Sequence, residues 1–506
     1  MKWLIYSELE RSRKSAVLSV IFTVLAVGIF VLIALSFNYG NLGKLPIEAK
    51  ESFFDMNNSV SVPLIIFVIA LIMKAKPAKA FRSALLAGVA LTGFSLLINA
   101  YMPTISGIVD KMVNNTGVNL PVLDVGWQAC ALVAYSTKIG MAFLIIAIVL
   151  QVVLFITKWT DIFMPSDLWN TYSFMLWGST LYIATKNVWL SLGLMVLMNL
   201  YVLLFAEMLA PCFSSYYNYP GCALTAPHHA EGVPFYVLVN FLMNKIGLNK
   251  VDINLKTVQK KLGLFGEPMV LGLIVGLVLG FIGNIKELDT LAAWGEIASA
   301  GIATAAVMAI FPKIASLFAA AFTLLTESTK GVAKKHGKDR KWYLSVNDAT
   351  GYGEPATIMV GTLMIPIMLV LAFFLPGNRA LIMVDLIAMP YCMIPMISIS
   401  KGNMLKTLIG AILYFSLALY VWGWMAELYT AVAVSVGFEL ASSTMLITCT
   451  CFMPFLALLF AAFLSQSPIW IGLTVVVYFV AYFLYRKNKE AVLNYMLTCN
   501  DVKEKA

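Results

Sequence analysis

The sequence predicts an all-α polytopic membrane protein with about eleven to thirteen membrane crossings, some of them re-entrant helical hairpins. Three observations carry this. Of 506 residues, 60% are hydrophobic, an upper bound of about fifteen spans at about 20 residues each. Only 12% are charged, about half the share of a soluble globular domain. The apolar runs recur along the whole chain, with a mean hydropathy of +0.86. Backbone polar groups in such runs must be satisfied internally, so the runs are helices. A soluble enzyme, a disordered chain and a nucleic-acid-binding domain are all excluded.

The first element is an apolar run from Ser15 to Phe37, preceded by Lys2, Arg11, Arg13 and Lys14. It is too long for a signal-peptide core, and no convincing cleavage site follows. It reads as a retained span entering from the cytoplasm. The next loop sets Lys44 and Lys50 against Glu48, Glu51 and Asp55, a balance that suits the outside. Lys74, Lys76, Lys79 and Arg82 follow the second run and place that end inside. Further apolar runs lie near 83–107, 140–157, 171–185, 188–210, 233–246, 269–285, 293–325, 357–375, 380–399, 404–425, 443–464 and 467–485. The basic stretch from Lys334 to Lys341 and the tail with Arg486, Lys487 and Lys489 read as cytoplasmic. Both termini are therefore expected in the cytoplasm. The net charge of +9 is mainly this positive-inside bias.

The seven cysteines are scattered, mostly in apolar segments, and read as small buried hydrophobes. Three histidines, His228, His229 and His336, offer no metal-ligand spacing. No metal or cofactor is expected. No Gly-x-Ser-x-Gly elbow, P-loop or HExxH is present, and no nucleotide domain.

Four polar interruptions carry the functional information. They are Leu123-Asp124-Val125-Gly126-Trp127-Gln128, Ala226-Pro227-His228-His229-Ala230-Glu231-Gly232, Leu264-Phe265-Gly266-Glu267-Pro268, and the stretch from Asn347-Asp348 to Gly353-Glu354-Pro355. The last two share Gly-Glu-Pro ahead of an apolar helix. Pro suits the first helical turn, and a carboxylate there is stabilised by free N–H groups and the helix dipole. Both read as re-entrant hairpin tips in corresponding positions of two repeats, which points to a midplane substrate site. Each residue also has a plainer reading. Asp124 and the Asn347–Asp348 pair serve equally as helix caps, and Trp127 as an interfacial aromatic. Glu267 and Glu354 can cap their own helices, although intramembrane carboxylates are functional by default. The His228–His229 pair offers neutral donor–acceptor groups suited to sugar hydroxyls. Glu207, Asp385 and Glu427 read as snorkelling or paired residues and are set aside.

In this order the interruptions resemble the membrane-embedded IIC component of the bacterial phosphotransferase system (PTS), galactitol type, grouped with the ascorbate transporters. The resemblance rests on Val122 to Trp127, Asp167-Leu168-Trp169-Asn170, Pro227-His228, Lys260 to Pro268, Asn347-Asp348, Pro376-Gly377-Asn378 and Lys401 to Thr407. It covers roughly residues 50–490. It implies a homodimer in the bacterial cell membrane, each protomer having a scaffold domain and a core domain that moves like an elevator. It also implies a polyol or related sugar as substrate, a IIB protein carrying the phosphoryl group on a cysteine, and a IIA protein that recharges IIB. Residues 1–47 then form an extra N-terminal transmembrane helix, 48–490 the transporter domain with interleaved segments, and 491–506 a cytoplasmic tail. This sequence has Pro227-His228-His229 where the family has Pro-His-Gly, and Glu354 where a less acidic tip is expected.

On this reading Asp124, Gln128, His228, His229, Glu267, Asn347, Asp348 and Glu354 bind the substrate, and Trp127 packs on its C–H face. His228 or Glu354 accepts the proton of the reacting hydroxyl. The chain is a permease subunit and cannot phosphorylate sugar alone. The rival expectation is an ion-coupled secondary transporter in which Glu267 and Glu354 bind protons or Na⁺.

Overall fold

The computed structural model describes residues 76–116, 120–164, 168–248, 268–336, 341–346, 354–437 and 444–500, with Val251 and a few positions between 63 and 71. The expected first span at 15–37, the residues Glu267, Asn347 and Asp348, and the side chain of Gln128 lie outside the described residues.

The apolar runs fold as helices, and two halves can be followed through them. The first half runs α1 (Pro77–Thr116), β1 (Val122–Asp124), α2 (Trp127–Ser136), α3 (Lys138–Ile156), β2 (Ile162–Phe163), α4 (Leu168–Thr185), α5 (Val188–Tyr216), β3 (Cys222–Leu224), the single turn α6 (Pro227–Ala230) and α7 (Val233–Lys245). After α8 (Pro268–Gly283), the second half runs α9 (Leu291–His336), β4 (Tyr343–Val346), α10 (Pro355–Phe374), β5 (Ala380–Leu381), a 3-10 turn (Val384–Ala388), α11 (Met389–Ile399), α12 (Met404–Ser435), β6 (Met445–Ile447) and α13 (Pro454–Leu464). The described chain closes with α14 (Pro468–Lys487) and α15 (Lys489–Thr498). Four helices, α3, α5, α12 and α14, are long and apolar enough to cross a membrane, among the described residues. The chain is a multi-pass membrane protein.

The strands are a departure from the helices-only expectation. They have two to four residues each and form two three-stranded parallel sheets. In one sheet β1 lies between β5 and β6; in the other β4 lies between β2 and β3. Val122 is opposite Ala380 and Met445, and Leu344 is opposite Phe163 and Cys222. Each half therefore supplies the central strand of the sheet whose edges belong to the other half. The physical reason is that extended backbone away from water must find partners. Three extended segments side by side satisfy one another.

The strand exchange also corrects the expected relation between the two Gly-Glu-Pro motifs. The helix that begins at Pro268 precedes the long helix of the second half, whereas the one that begins at Pro355 follows its first strand. By strand order, the counterpart of the turn at Glu354 is the Val125–Gly126 turn before α2.

Helices α1, α8 and α9 pack against one another as a group. α1 and α9 have 40 and 46 residues, about 60 and 70 Å at 1.5 Å per residue and so about twice the bilayer core. The contact of α8 with α9 is made by small residues. A Cβ on Gly276 would lie 2.3 Å from the Ala300 carbonyl oxygen, so only glycine permits this approach. Tyr101 on α1 bonds Thr304 on α9 at 3.0 Å. Lys111 joins α1 to Asn284 at 3.0 Å and to Glu296 at 2.5 Å.

The C-terminal helices are held at two points. Glu207, buried on α5, accepts Thr160 Oγ1 at 2.9 Å and the Asp161 N–H at 3.0 Å, and pairs with Lys489. Lys489 also reaches Asp161 at 2.5 Å. Trp159 beside them stacks on Tyr482 with centroids 4.1 Å apart. At the other point, buried Lys406 donates to Asn240 and Asn244 at 2.8 Å each and to Asn500 at 2.5 Å. Glu427, which the sequence reads as paired or snorkelling, meets Arg379 at 3.7 Å near the surface.

Candidate functional site

Parallel strands end on the same side, so the turns that follow β1, β5 and β6 converge. Asp124, the last residue of β1, lies among them and is 1% exposed. Its Oδ1 accepts the N–H of Gly126 at 3.0 Å and of Cys449 at 3.3 Å. Its Oδ2 accepts the N–H of Asp385 at 2.6 Å and of Met383 at 3.2 Å. Gly126 makes the turn possible at φ +84°, where a side chain would be strained. Asp385 is fully buried in the 3-10 turn. It accepts the Trp127 N–H at 2.8 Å on Oδ1, and the Thr450 N–H at 2.8 Å and hydroxyl at 3.0 Å on Oδ2. Three segments from two halves are thus tied by two carboxylates. Free N–H groups at the starts of helices supply the stabilisation that water would.

The ligand atoms of Asp124, Asp385 and Cys449 lie within 4.8 Å of one another. Every carboxylate oxygen of this group already receives at least one N–H donor. That donor set fits a hydrogen-bonded clamp, not a cation. Trp127 is half-buried at the start of α2 and packs against the core.

The second sheet leads to a different set. Thr225 and Ser345 pair their hydroxyls at 2.5 Å where β3 and β4 end. Pro227 then opens the single turn α6, which carries His228 and His229. Both imidazoles are buried, with ring centroids 4.0 Å apart. Glu231 follows, 1% exposed. Its Oε2 accepts the N–H of Phe455 at 2.7 Å and of Leu456 at 3.2 Å, the first turn of α13. The tip after β3 therefore meets the tip after β6.

Glu354 is the N-cap of α10. Its carboxylate accepts the N–H of Ala356 at 3.1 Å and of Thr357 at 2.7 Å, and the Thr357 hydroxyl at 2.7 Å. The Tyr217 hydroxyl lies 2.6 Å from Thr357 Oγ1 and extends this chain. Of the two readings open from sequence, helix capping is the one these bonds describe.

The expected site residues are thus divided between two sheet ends. Asp124 and Trp127 belong to the first and His228 and His229 to the second, whereas Glu354 lies beside Thr357 and Tyr217, ahead of β3. Sequence reasoning missed Asp385, Thr450 and Glu231. Asp385 is an acidic residue inside an apolar run, and Glu231 lies within the His-rich interruption itself.

The family described as EIIC-GAT, the sugar-specific permease component of the PTS system, matches residues 52–444. The chain belongs to this family. The match takes in both sheet ends up to the start of β6. The permease is also similar to the "PTS system galactitol-specific EIIC component" of Escherichia coli (strain K12), 24% identical over 393 residues that cover 77% of this chain and 85% of the relative. The protein of the same name from Escherichia coli O157:H7 gives the same figures. A third relative, from Escherichia coli (strain K12), is 26% identical over 395 residues, covering 78% of this chain and 89% of its own. Its name assigns it provisionally to the permease IIC components.

Proposed function

We propose that this permease takes up a polyol of the galactitol kind, or a related sugar, coupled to its phosphorylation by a separate IIB protein. A IIA protein recharges IIB. The observation that carries this reading is the family match across residues 52–444, joined by relatives named galactitol-specific. A polyol presents only hydroxyls, and the buried His228–His229 pair offers ring nitrogens that can donate or accept. In the transfer step, the S–P bond of phosphocysteine on IIB breaks and an O–P bond forms to the substrate hydroxyl. His228 takes the hydroxyl proton. Its neighbour His229 holds an adjacent hydroxyl. Glu354, engaged in capping α10, supports the site by fixing that helix. Asp124 and Trp127 shape the opposite sheet end, and Gln128, Glu267, Asn347 and Asp348 complete the substrate set.

Translocation follows the elevator mode. The long helices α1 and α9, with α8, form the scaffold and the homodimer contact in the bacterial cell membrane, and the two-sheet bundle forms the moving core. Both termini face the cytoplasm, where IIB docks. The direct test is product identity. Labelled galactitol incubated with permease vesicles and phosphorylated IIB is recovered as a phosphate ester. Recovery of unmodified polyol alone contradicts the reading.

A further inference from the structure

Glu231 carries a feature that capping leaves unexplained. One oxygen binds the first turn of α13, but the other, Oε1, is buried with no hydrogen-bond partner. Buried polar atoms are almost always partnered, so such an atom marks a place where a donor is expected. A buried carboxylate oxygen is the costliest kind to leave empty.

More unpartnered polar atoms lie on the elements around it. The Tyr414 hydroxyl is buried without a partner. It lies next to Gly232, since a Cβ there would come within 3.4 Å of it. α4 packs against both α6 and α13. Along α4, Ser173, Trp177 and Thr180 follow one face at helical spacing. All three are fully buried, and their Oγ, Nε1 and Oγ1 atoms are also without partners. The Trp177 ring packs against Phe452 at 4.7 Å and Phe460 at 5.0 Å, on either side of the turn that Glu231 caps. One carboxyl oxygen, one indole donor and three hydroxyls thus lie on the elements that pack about the meeting point of the two tips. Hydroxyls that donate and accept match this set; a cation would not need the indole, and an apolar molecule would satisfy none of it.

We propose that Glu231 is a substrate-binding residue whose Oε1 hydrogen-bonds a hydroxyl of the polyol, with Tyr414 and the α4 face completing the contact. This rests on the polyol reading above. Glu231 then does two things at once. It clamps the tip after β3 to α13 through Oε2, and it selects ligands that present a hydroxyl at Oε1. A site built to bind a hydroxyl rejects the analogue lacking it far more strongly than an apolar pocket rejects an extra group.

The test is equilibrium binding of galactitol and its monodeoxy analogues to the purified full-length permease, as wild type, Glu231→Gln and Tyr414→Phe. Glutamine keeps an acceptor for the Phe455 and Leu456 N–H groups and replaces Oε1 by a donor. The expected result is at least a tenfold rise in Kd for galactitol in Glu231→Gln. One deoxy analogue should bind wild type and variant equally, because it lacks the hydroxyl that Oε1 binds. Tyr414→Phe should raise Kd several-fold, and it decides the matter if Glu231→Gln does not fold. Unchanged Kd in the folded fraction of both variants, with the wild type binding galactitol, overturns the assignment and leaves the polyol reading standing. Failure of the wild type to bind any member of the panel overturns both.

Discussion

Asp124 and Asp385 bind each other's chain segment. The Asp385 N–H donates to Asp124 Oδ2 at 2.6 Å, and the Trp127 N–H, three residues after Asp124, donates to Asp385 Oδ1 at 2.8 Å. One residue comes from the first half of the fold and the other from the second, so the pair joins the halves where the strand exchange already interlocks them. Replacing Asp124 by Ala strips the acceptor from four N–H groups at a buried site. The expected loss is about 3 kcal/mol or more, since each buried unsatisfied donor costs about 1–3 kcal/mol. Asp124→Asn, which keeps one acceptor oxygen, should lose less. Thermal unfolding of the detergent-solubilised permease, followed by intrinsic tryptophan fluorescence, checks the order.

Glu354 and His228 should separate under mutation. The Glu354 carboxylate caps α10 through Ala356 and Thr357, and loss of an N-cap costs about 1 kcal/mol. Glu354→Gln should therefore retain uptake within a few-fold of wild type. His228→Ala should abolish formation of the phosphate ester while leaving the protein folded. Equal loss in both variants would return Glu354 to a direct chemical role.

The multi-pass, mostly helical character was legible because apolar runs of helical length leave little choice in a chain that is 60% hydrophobic. The turn at Asp124 and the His228–His229 pair were legible because polar residues stand out in such a background. The strand exchange was not. Strands of two to four residues carry no periodicity that a window can detect. A faint trace existed in the spacing. Asp167-Leu168 begins five residues after Ile162, and Asp385-Leu386 begins five residues after Ala380, so the edge strands β2 and β5 are followed by the same pair. Asp385 does not stand out in the sequence because, on a single apolar run, a snorkelling carboxylate and one buried against a distant turn look alike. Glu354 is ambiguous in the sequence for a similar reason, since a cap and a ligand require the same residue before Pro.

The α8–α9 contact gives a stability test independent of function. A Cβ on Gly276 meets the Ala300 carbonyl oxygen at 2.3 Å, whereas one on Gly295 meets nothing within 4 Å. Gly276→Ala should destabilise by about 1–3 kcal/mol, the usual range for overpacking. Gly295→Ala should be neutral or slightly stabilising because alanine favours helix. Unfolding midpoints of the two variants in one detergent give the comparison.

The ion pair between Glu207 and Lys489 joins α5 to α15 in a nearly buried setting. Breaking such a pair from one side leaves a charge without its partner, a cost of about 3–5 kcal/mol. Lys489→Met should therefore detach the C-terminal helix, detected as faster proteolysis after residue 487. Adding Glu207→Gln to Lys489→Met should recover much of the loss, because only the partly exposed Asp161 carboxylate then lacks its cation. Additive losses in the double variant would contradict the pairing.

We propose that transport and phosphorylation are one process in this permease. Coupling is read from accumulation of labelled galactitol, pentitols, hexitols and ascorbate in vesicles with all ion gradients collapsed, with and without phosphorylated IIB. A phosphorylated product is expected to accumulate only when phosphorylated IIB is present. Uptake of unmodified substrate that requires a proton or Na⁺ gradient, and is indifferent to IIB, would contradict it.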